Sequence, residues 1–421
     1  MKTTPIILAT AWIATLVAAF TIGSKLNPSE DDKVADRSEN REAGRSSLRS
    51  ASRDREPSAG SRSGGSGDRD KSTSGNEPEI KEIMNSQNPL ARTQALIDLI
   101  NRLGPDEFEQ TVADFRGMGI TRERMSEYAM LLHAWGKTDP LAALEYAKEN
   151  TGTPFARQTI LASWAEDSPD SAISWANSNH EGEGANPWLI GVIRGIASSN
   201  PEKASEIMAT LPYSRERGDA LSSIVPHIAK LGKDKANEWL NTLEDERLRA
   251  GGAAYLADIM AKSNPAEAAE WVLNLRDEEA ITRAAGSVAD EWAEVDLDAA
   301  ISWTDSLPEK AKTSAARQVI GHYASEDPAK ASAWLSTMSD QEGYQDVVSS
   351  YIWNTARENP EMSLSKVAEI SDERSRLRYY SRIYDRWQQR DTDSAQAWLQ
   401  NSQLSEEVKK SIQSRRERGR R

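Results

Sequence analysis

A helix-start signal recurs along this chain at a nearly constant interval, and that recurrence restricts the fold to a stack of like units. With Pro140, Pro169, Pro201, Lys233, Pro265, Leu297, Pro328, Pro360 and Thr392 as position zero, the spacings are 29, 32, 32, 32, 32, 31, 32 and 32 residues. The residue before each is Asp139, Ser168, Asn200, Gly232, Asn264, Asp296, Asp327, Asn359 or Asp391. All nine are preferred at N-caps, eight of them with a side-chain oxygen able to serve an amide that has no intrahelical partner, and Pro at the next position has no amide to lose. A helix is therefore expected to begin at position zero of every unit.

The same frame organises the apolar residues. At plus three stand Ala143, Ala172, Ala204, Ala236, Ala268, Ala300, Ala331 and Ala395, with Ser363 the exception. At plus six stand Tyr146, Trp175, Ile207, Trp239, Trp271, Trp303, Trp334, Lys366 and Trp398. Upstream, minus four is Ala in seven units (Ala165 to Ala356), and minus five is mostly aromatic or aliphatic, as in Trp135, Ile228, Trp292 and Trp387. Offsets of three, six or seven, and ten share one helical face. Each unit thus reads as helix–turn–helix, with Ala admitting a close neighbour and Trp filling the space beside it. The fixed phase of the Trp set predicts core, with Trp271 and Trp303 in equivalent places. The fold class is all-α: an αα-superhelix, expected right-handed, of about nine to ten such repeats. Residues 79–123 are less regular, and atypical ends are expected of a stack.

These residues resemble the α–α repeat superfamily, especially tetratricopeptide-like arrays. The likeness rests on the two-helix unit, the small residue before an aromatic in the second helix (Ala172, Ala204, Ala236), and Pro at a helix boundary. It is also similar to exported Trp-rich helical-repeat proteins of planctomycete and verrucomicrobial bacteria. The chain departs from the tetratricopeptide pattern in its shorter period and in carrying its dominant Trp in the second helix. The resemblance implies protein or peptide binding on a concave face and brings no catalytic residues.

Outside the repeats the composition changes. Residues 5–22 form an apolar run after Lys2, about the length of a short membrane span and long for a signal-peptide core. Residues 1–25 are read as a signal peptide or single-span anchor, with Val17-Ala18-Ala19 a possible cleavage site. Residues 26–78 are Ser, Gly, Arg, Asp and Glu with few apolar groups, the composition of a disordered linker. Residues 79–411 are the solenoid and 412–421 a basic tail. The expected location is the cell envelope: anchored on the periplasmic side of the inner membrane, or periplasmic or secreted after cleavage.

Composition removes several kinds of chemistry. Without Cys there is no disulfide, thiolate zinc site, iron–sulfur cluster or Cys nucleophile, and four His leave little room for a His-rich metal centre. Residues 79–411 carry 35 basic and 54 acidic groups, a charge that repels phosphate backbones, so no nucleic-acid partner is expected for this body. No nucleophile-elbow, zincin, P-loop or dinucleotide motif occurs. No cofactor, metal or catalytic residue is assigned. The loop His180-Glu181-Gly182-Glu183 offers too few convergent ligands.

Two basic sets stand out. Arg124, Arg217, Arg249, Lys312 and Arg376 lie sixteen residues before position zero, near the starts of first helices, where cations are unfavourable by about 0.3–1 kcal/mol. Acids of the neighbouring unit such as Glu244, Asp245 and Glu246, or carboxylates of a partner, would offset them. The tail residues Arg415, Arg416, Arg418, Arg420 and Arg421 form a candidate polyanion-binding cluster. The functional expectation is a non-enzymatic scaffold that binds an unidentified protein or extended peptide. The alternatives are a recruitment subunit for a cell-wall (peptidoglycan) enzyme or envelope complex, and an enzyme built on an α-toroid.

Overall fold

In a computed structural model, the residues described are 77–419. The leader expected over 1–25, nearly all of the linker expected over 26–78, Arg420, Arg421 and the side chains of Arg415, Arg416 and Arg418 lie outside that description. The described residues form twenty-two α-helices and no strand. They divide into two units, one ending at Thr151 and one beginning at Gly152, so that the array expected over 79–411 is split within the repeats.

The first unit holds α1 (Glu77–Asn85), α2 (Pro89–Ile100), α3 (Phe108–Gly117), α4 (Met125–Thr138) and α5 (Pro140–Asn150). Its core is Leu96, Leu99, Phe108, Phe115, Leu131, Leu132 and Trp135, each at most 2% exposed. Buried Glu127 accepts a 2.9 Å bond from Arg92 Nε, so that carboxylate does not enter the core unpaired.

The second unit alternates first and second helices. Its first helices are α6 (Pro154–Asp167), α8 (Leu189–Ile196), α10 (Arg215–Lys230), α12 (Glu246–Ser263), α14 (Glu278–Val295), α16 (Glu309–Glu326), α18 (Tyr344–Thr355) and α20 (Glu373–Arg390). Its second helices are α7 (Pro169–Ser178), α9 (Pro201–Thr210), α11 (Lys233–Thr242), α13 (Pro265–Leu273), α15 (Leu297–Ser306), α17 (Pro328–Ser336), α19 (Pro360–Val367) and α21 (Thr392–Asn401), and α22 (Glu406–Gly419) closes the stack. Including α5, all nine second helices begin on the residue chosen as position zero. The cap explains why. Asp139, Asn200, Asn264, Asp296, Asp327 and Asp391 accept bonds from amides of the first turn. Gly232 enters its helix at φ +92°, a conformation that disfavours a Cβ.

The plus-three position is the tightest point of each unit. All eight Ala there are fully buried, and so is Ser363, whose hydroxyl donates to the Ile352 carbonyl at 2.8 Å. Aromatic pairs eleven residues apart then clasp the two helices of a unit. Trp292 meets Trp303 at 5.8 Å between ring centroids, Tyr323 meets Trp334 at 5.9 Å, Trp387 meets Trp398 at 6.2 Å, and Trp135 meets Tyr146 at 5.3 Å in the first unit. Such pairs add about 0.5–1.5 kcal/mol beyond their area.

Indole N–H groups link successive second helices. Trp239 Nε1 donates to Ser205 Oγ at 2.8 Å, and Trp271 Nε1 to Asn237 Oδ1 at 3.0 Å, the acceptor being the plus-four residue of the preceding unit. In the next unit that acceptor position is Ala269, and Trp303 Nε1 is buried without a partner. Where the Trp is lost, Lys366 reaches back to Ser336 Oγ at 2.8 Å and to Glu369, which lets an ammonium take a core position. Ala269→Ser should raise stability by about 0.5–1.5 kcal/mol by supplying the missing acceptor. A urea melt that leaves the midpoint unchanged or lowered would contradict this.

The expectation that the Trp are core holds in part. Trp135, Trp188, Trp239, Trp271 and Trp387 are at most 8% exposed. Trp164, Trp175, Trp292, Trp303, Trp334 and Trp398 are half-buried, and Trp353 is 40% exposed. The second helices run only eight to eleven residues, too short to cover the outer edge of each indole.

The two layers pack differently. From α6 to α18 consecutive first helices lie directly against one another, α12 on α14 and α14 on α16 most extensively, whereas α18 and α20 do not, and no second helix packs broadly on the next. Small residues allow this. A Cβ on Gly195 would stand 2.2 Å from the Ala162 carbonyl oxygen, and one on Gly191 would stand 2.5 Å from that of Gln158, so α8 and α6 are in backbone contact. No helix among the described residues is long and apolar enough to cross a membrane.

Candidate binding surface on the first-helix layer

The basic ladder is in register, and every member has an intrachain partner. Arg124, Arg249 and Arg376 each donate Nη1 to the carbonyl six residues earlier, of Met118, Leu243 and Ile370, at 2.8, 2.7 and 2.8 Å. These guanidiniums close the turn that enters a first helix. Arg217 Nη1 bonds Asp245 Oδ2 at 3.0 Å, and Arg249 Nη2 lies 3.4 Å from Asp277 Oδ2. Asp245 and Asp277 are the N-caps of α12 and α14. The cation near the start of one first helix is thus offset by the cap of the next. The Asp245 carboxyl is held below the usual range, first by the Leu248 amide and also by Arg217. Lys312 pairs with Asp305 at 2.9 Å. Beside Arg249 a cleft of about 360 Å³ is lined by Asn237, Asn241, Asn274, Arg276 and Asp277.

The His180 loop closes on itself, His180 Nε2 lying 3.0 Å from the Gly184 carbonyl. No group of three metal-ligating side chains occurs among the described residues.

The surface that repeat alignment did not single out is the outer face of the first helices. In the second unit it carries polar contacts between neighbouring first helices, in one set over α6, α8 and α10 and another over α12, α14 and α16. Arg194 on α8 reaches Gln158 on α6 and Ser223 on α10, both at 3.4 Å. Lys262 on α12 bonds Asp258 at 2.7 Å and lies 3.6 Å from Glu291 on α14. His322 on α16 meets Asp290 on α14 at 3.2 Å. These side chains keep access to solvent, yet several are desolvated. Burial pushes the Arg194 guanidinium down, and it pushes the Asp219 and Glu291 carboxyls and the Tyr255 hydroxyl up. Lys262 opposes the shift at Glu291, while Asp258 adds to it. Groups both wet and desolvated recur along this face, and such perturbed ionisations mark a candidate functional surface.

The repeat alignment could not find this face. It detects positions that every unit shares, and those are core and cap. At minus seven the nine units carry His133, Ala162, Arg194, Pro226, Asp258, Asp290, Gly321, Trp353 and Asp385, so that Asp recurs in three and the other six all differ. The available signal was that lack of consensus on an otherwise regular helix. Such variation is expected where side chains meet a partner rather than the next repeat. No family model matches this chain, and neither do curated proteins or solved structures.

Proposed function

We propose that this protein is a non-enzymatic helical-repeat scaffold that binds a protein or extended peptide along the first-helix face of its Gly152–Arg421 unit. The observation that carries the reading is two sets of wet but desolvated polar side chains, about Arg194 and about Lys262 and Glu291, each bonded between neighbouring first helices. A broad surface of this kind recognises its partner through many modest contacts around a few anchors. Export, with tethering or release in the cell envelope, rests on residues 5–22 and is part of the same proposal.

The test compares affinity for a partner captured from native envelope. Arg317→Glu with Asp290→Arg alters two accessible positions of the first-helix face, and Glu270→Arg with Ser302→Arg alters two exposed positions of second helices. The first pair should weaken binding by about tenfold or more and the second by less than about twofold. The reverse pattern would place the working surface on the second helices.

A further inference from the structure

The last first helix carries a feature unlike any other in the stack. Arg374, Arg378, Arg382, Arg386 and Arg390 recur every four residues along α20, and all five are exposed. None forms an ion pair among the described residues, Arg378 bonding only the Ser375 hydroxyl at 2.9 Å. Like charges four apart on a helix destabilise it, so the row is a standing cost to the fold. One member is positioned by the neighbouring helix. Arg382 lies over the Trp353 ring at 5.0 Å, and Trp353 meets Tyr379 edge-on at 5.3 Å. Trp353 is the most exposed Trp described.

We infer that the Arg374, Arg378, Arg382 and Arg386 ridge docks an extended acidic peptide segment bearing carboxylates at alternate residues. This rests on the scaffold reading and names the partner's chemistry at one end of the same face. The spacing supports it. Residues four apart rise by about 6 Å, along a ridge inclined by about 26° to the helix axis, which places successive Arg roughly 6–7 Å apart. Alternate residues of an extended strand are about 6.6–6.8 Å apart and point the same way. Each guanidinium can then take one carboxylate in a forked pair. A strand that coils around the helix along the ridge, as a flexible segment can and a flat surface cannot, stays in step with all four.

Other anions fit less well. The ridge turns by about 40° at each step, so it winds away from a flat membrane. Stacking of nucleic-acid bases needs a free aromatic face, whereas Arg382 covers one face of Trp353 and Tyr379 meets the ring from the side. The acidic body repels a long polyanion but tolerates a short segment.

The test uses the full chain and fluorescently labelled probes in an anisotropy titration. The probes are an eight-residue peptide of alternating Glu and Ser, a peptide of four Glu followed by four Ser, a short oligothymidine, and vesicles of phosphatidylglycerol. The alternating peptide should bind at least about fivefold more tightly than the block peptide of equal charge. Arg378→Glu with Arg382→Glu should weaken it by about tenfold or more, while Arg283→Glu, on the same face but paired with Glu279, should leave it unchanged. Removing the like-charge row should not lower the melting temperature, which separates lost binding from lost fold. Equal binding of the two peptides, insensitivity to the double variant, or preference for oligothymidine or vesicles would overturn the inference. A partner that still depends on Arg317 and Asp290 would leave the scaffold reading standing.

Discussion

Trp271→Ala is expected to destabilise the chain by about 3–5 kcal/mol, the range for truncating a well-buried large aromatic. Trp271 is 5% exposed and its indole N–H is bonded to Asn237, so the variant opens a cavity and strands an acceptor. Trp303 occupies the same repeat position but is half-buried and its N–H has no acceptor, so Trp303→Ala should cost less, about 2 kcal/mol. Urea denaturation followed by helical ellipticity measures the difference. Equal losses would show that the indole ladder adds nothing to the packing, and two wild-type melts would show that the Trp are surface groups. Repeat stacks are nearest-neighbour systems, so the transition of Trp271→Ala should broaden as the units beside it open first.

Gly195→Val should cost roughly 3 kcal/mol or more. A β-carbon at Gly195 would sit 2.2 Å from the Ala162 carbonyl oxygen and 3.0 Å from the Ala165 methyl. Backbone cannot rotate aside as a side chain can, so α8 must move away from α6 and the contacts of the whole interface loosen. Gly218 provides the contrast. It lies within α10 with nothing within 4 Å of the position of a Cβ, so Gly218→Ala should stabilise by about 0.4–1 kcal/mol through lower unfolded-state entropy. Thermal melts of the two variants should shift in opposite directions. A Gly195→Val protein melting like wild type would mean that these helices are not in backbone contact.

Caps and small residues made the fold legible in the sequence. A cap followed by Pro fixes a helix start to the residue, and a side chain that meets a neighbouring backbone must be Ala, Ser or Gly whatever the unit does. The partial exposure of the Trp set was not legible, because phase gives the face of a helix and not how far a short helix covers it. The fate of the basic ladder was half legible. The sequence offers Glu244, Asp245 and Glu246 as counter-charges for the ladder and Asp245 pairs with Arg217, but the carbonyls taken by Arg124, Arg249 and Arg376 depend on turn geometry that residue types do not encode. The α20 Arg row was visible as a four-residue period, and an alignment on the 32-residue period passes over it.

The central claim is that the first helices are the working face, and site-specific photo-crosslinking tests it most directly. A photoreactive residue placed in turn at Arg317, Ser350 and Arg382 on first helices, and at Glu270, Ser302 and Ala397 on second helices, would be irradiated in the full chain in native envelope. Adducts of one partner from the first three positions and none from the last three are predicted. The same partner crosslinking from the second helices, with the first-helix positions silent, would contradict the account.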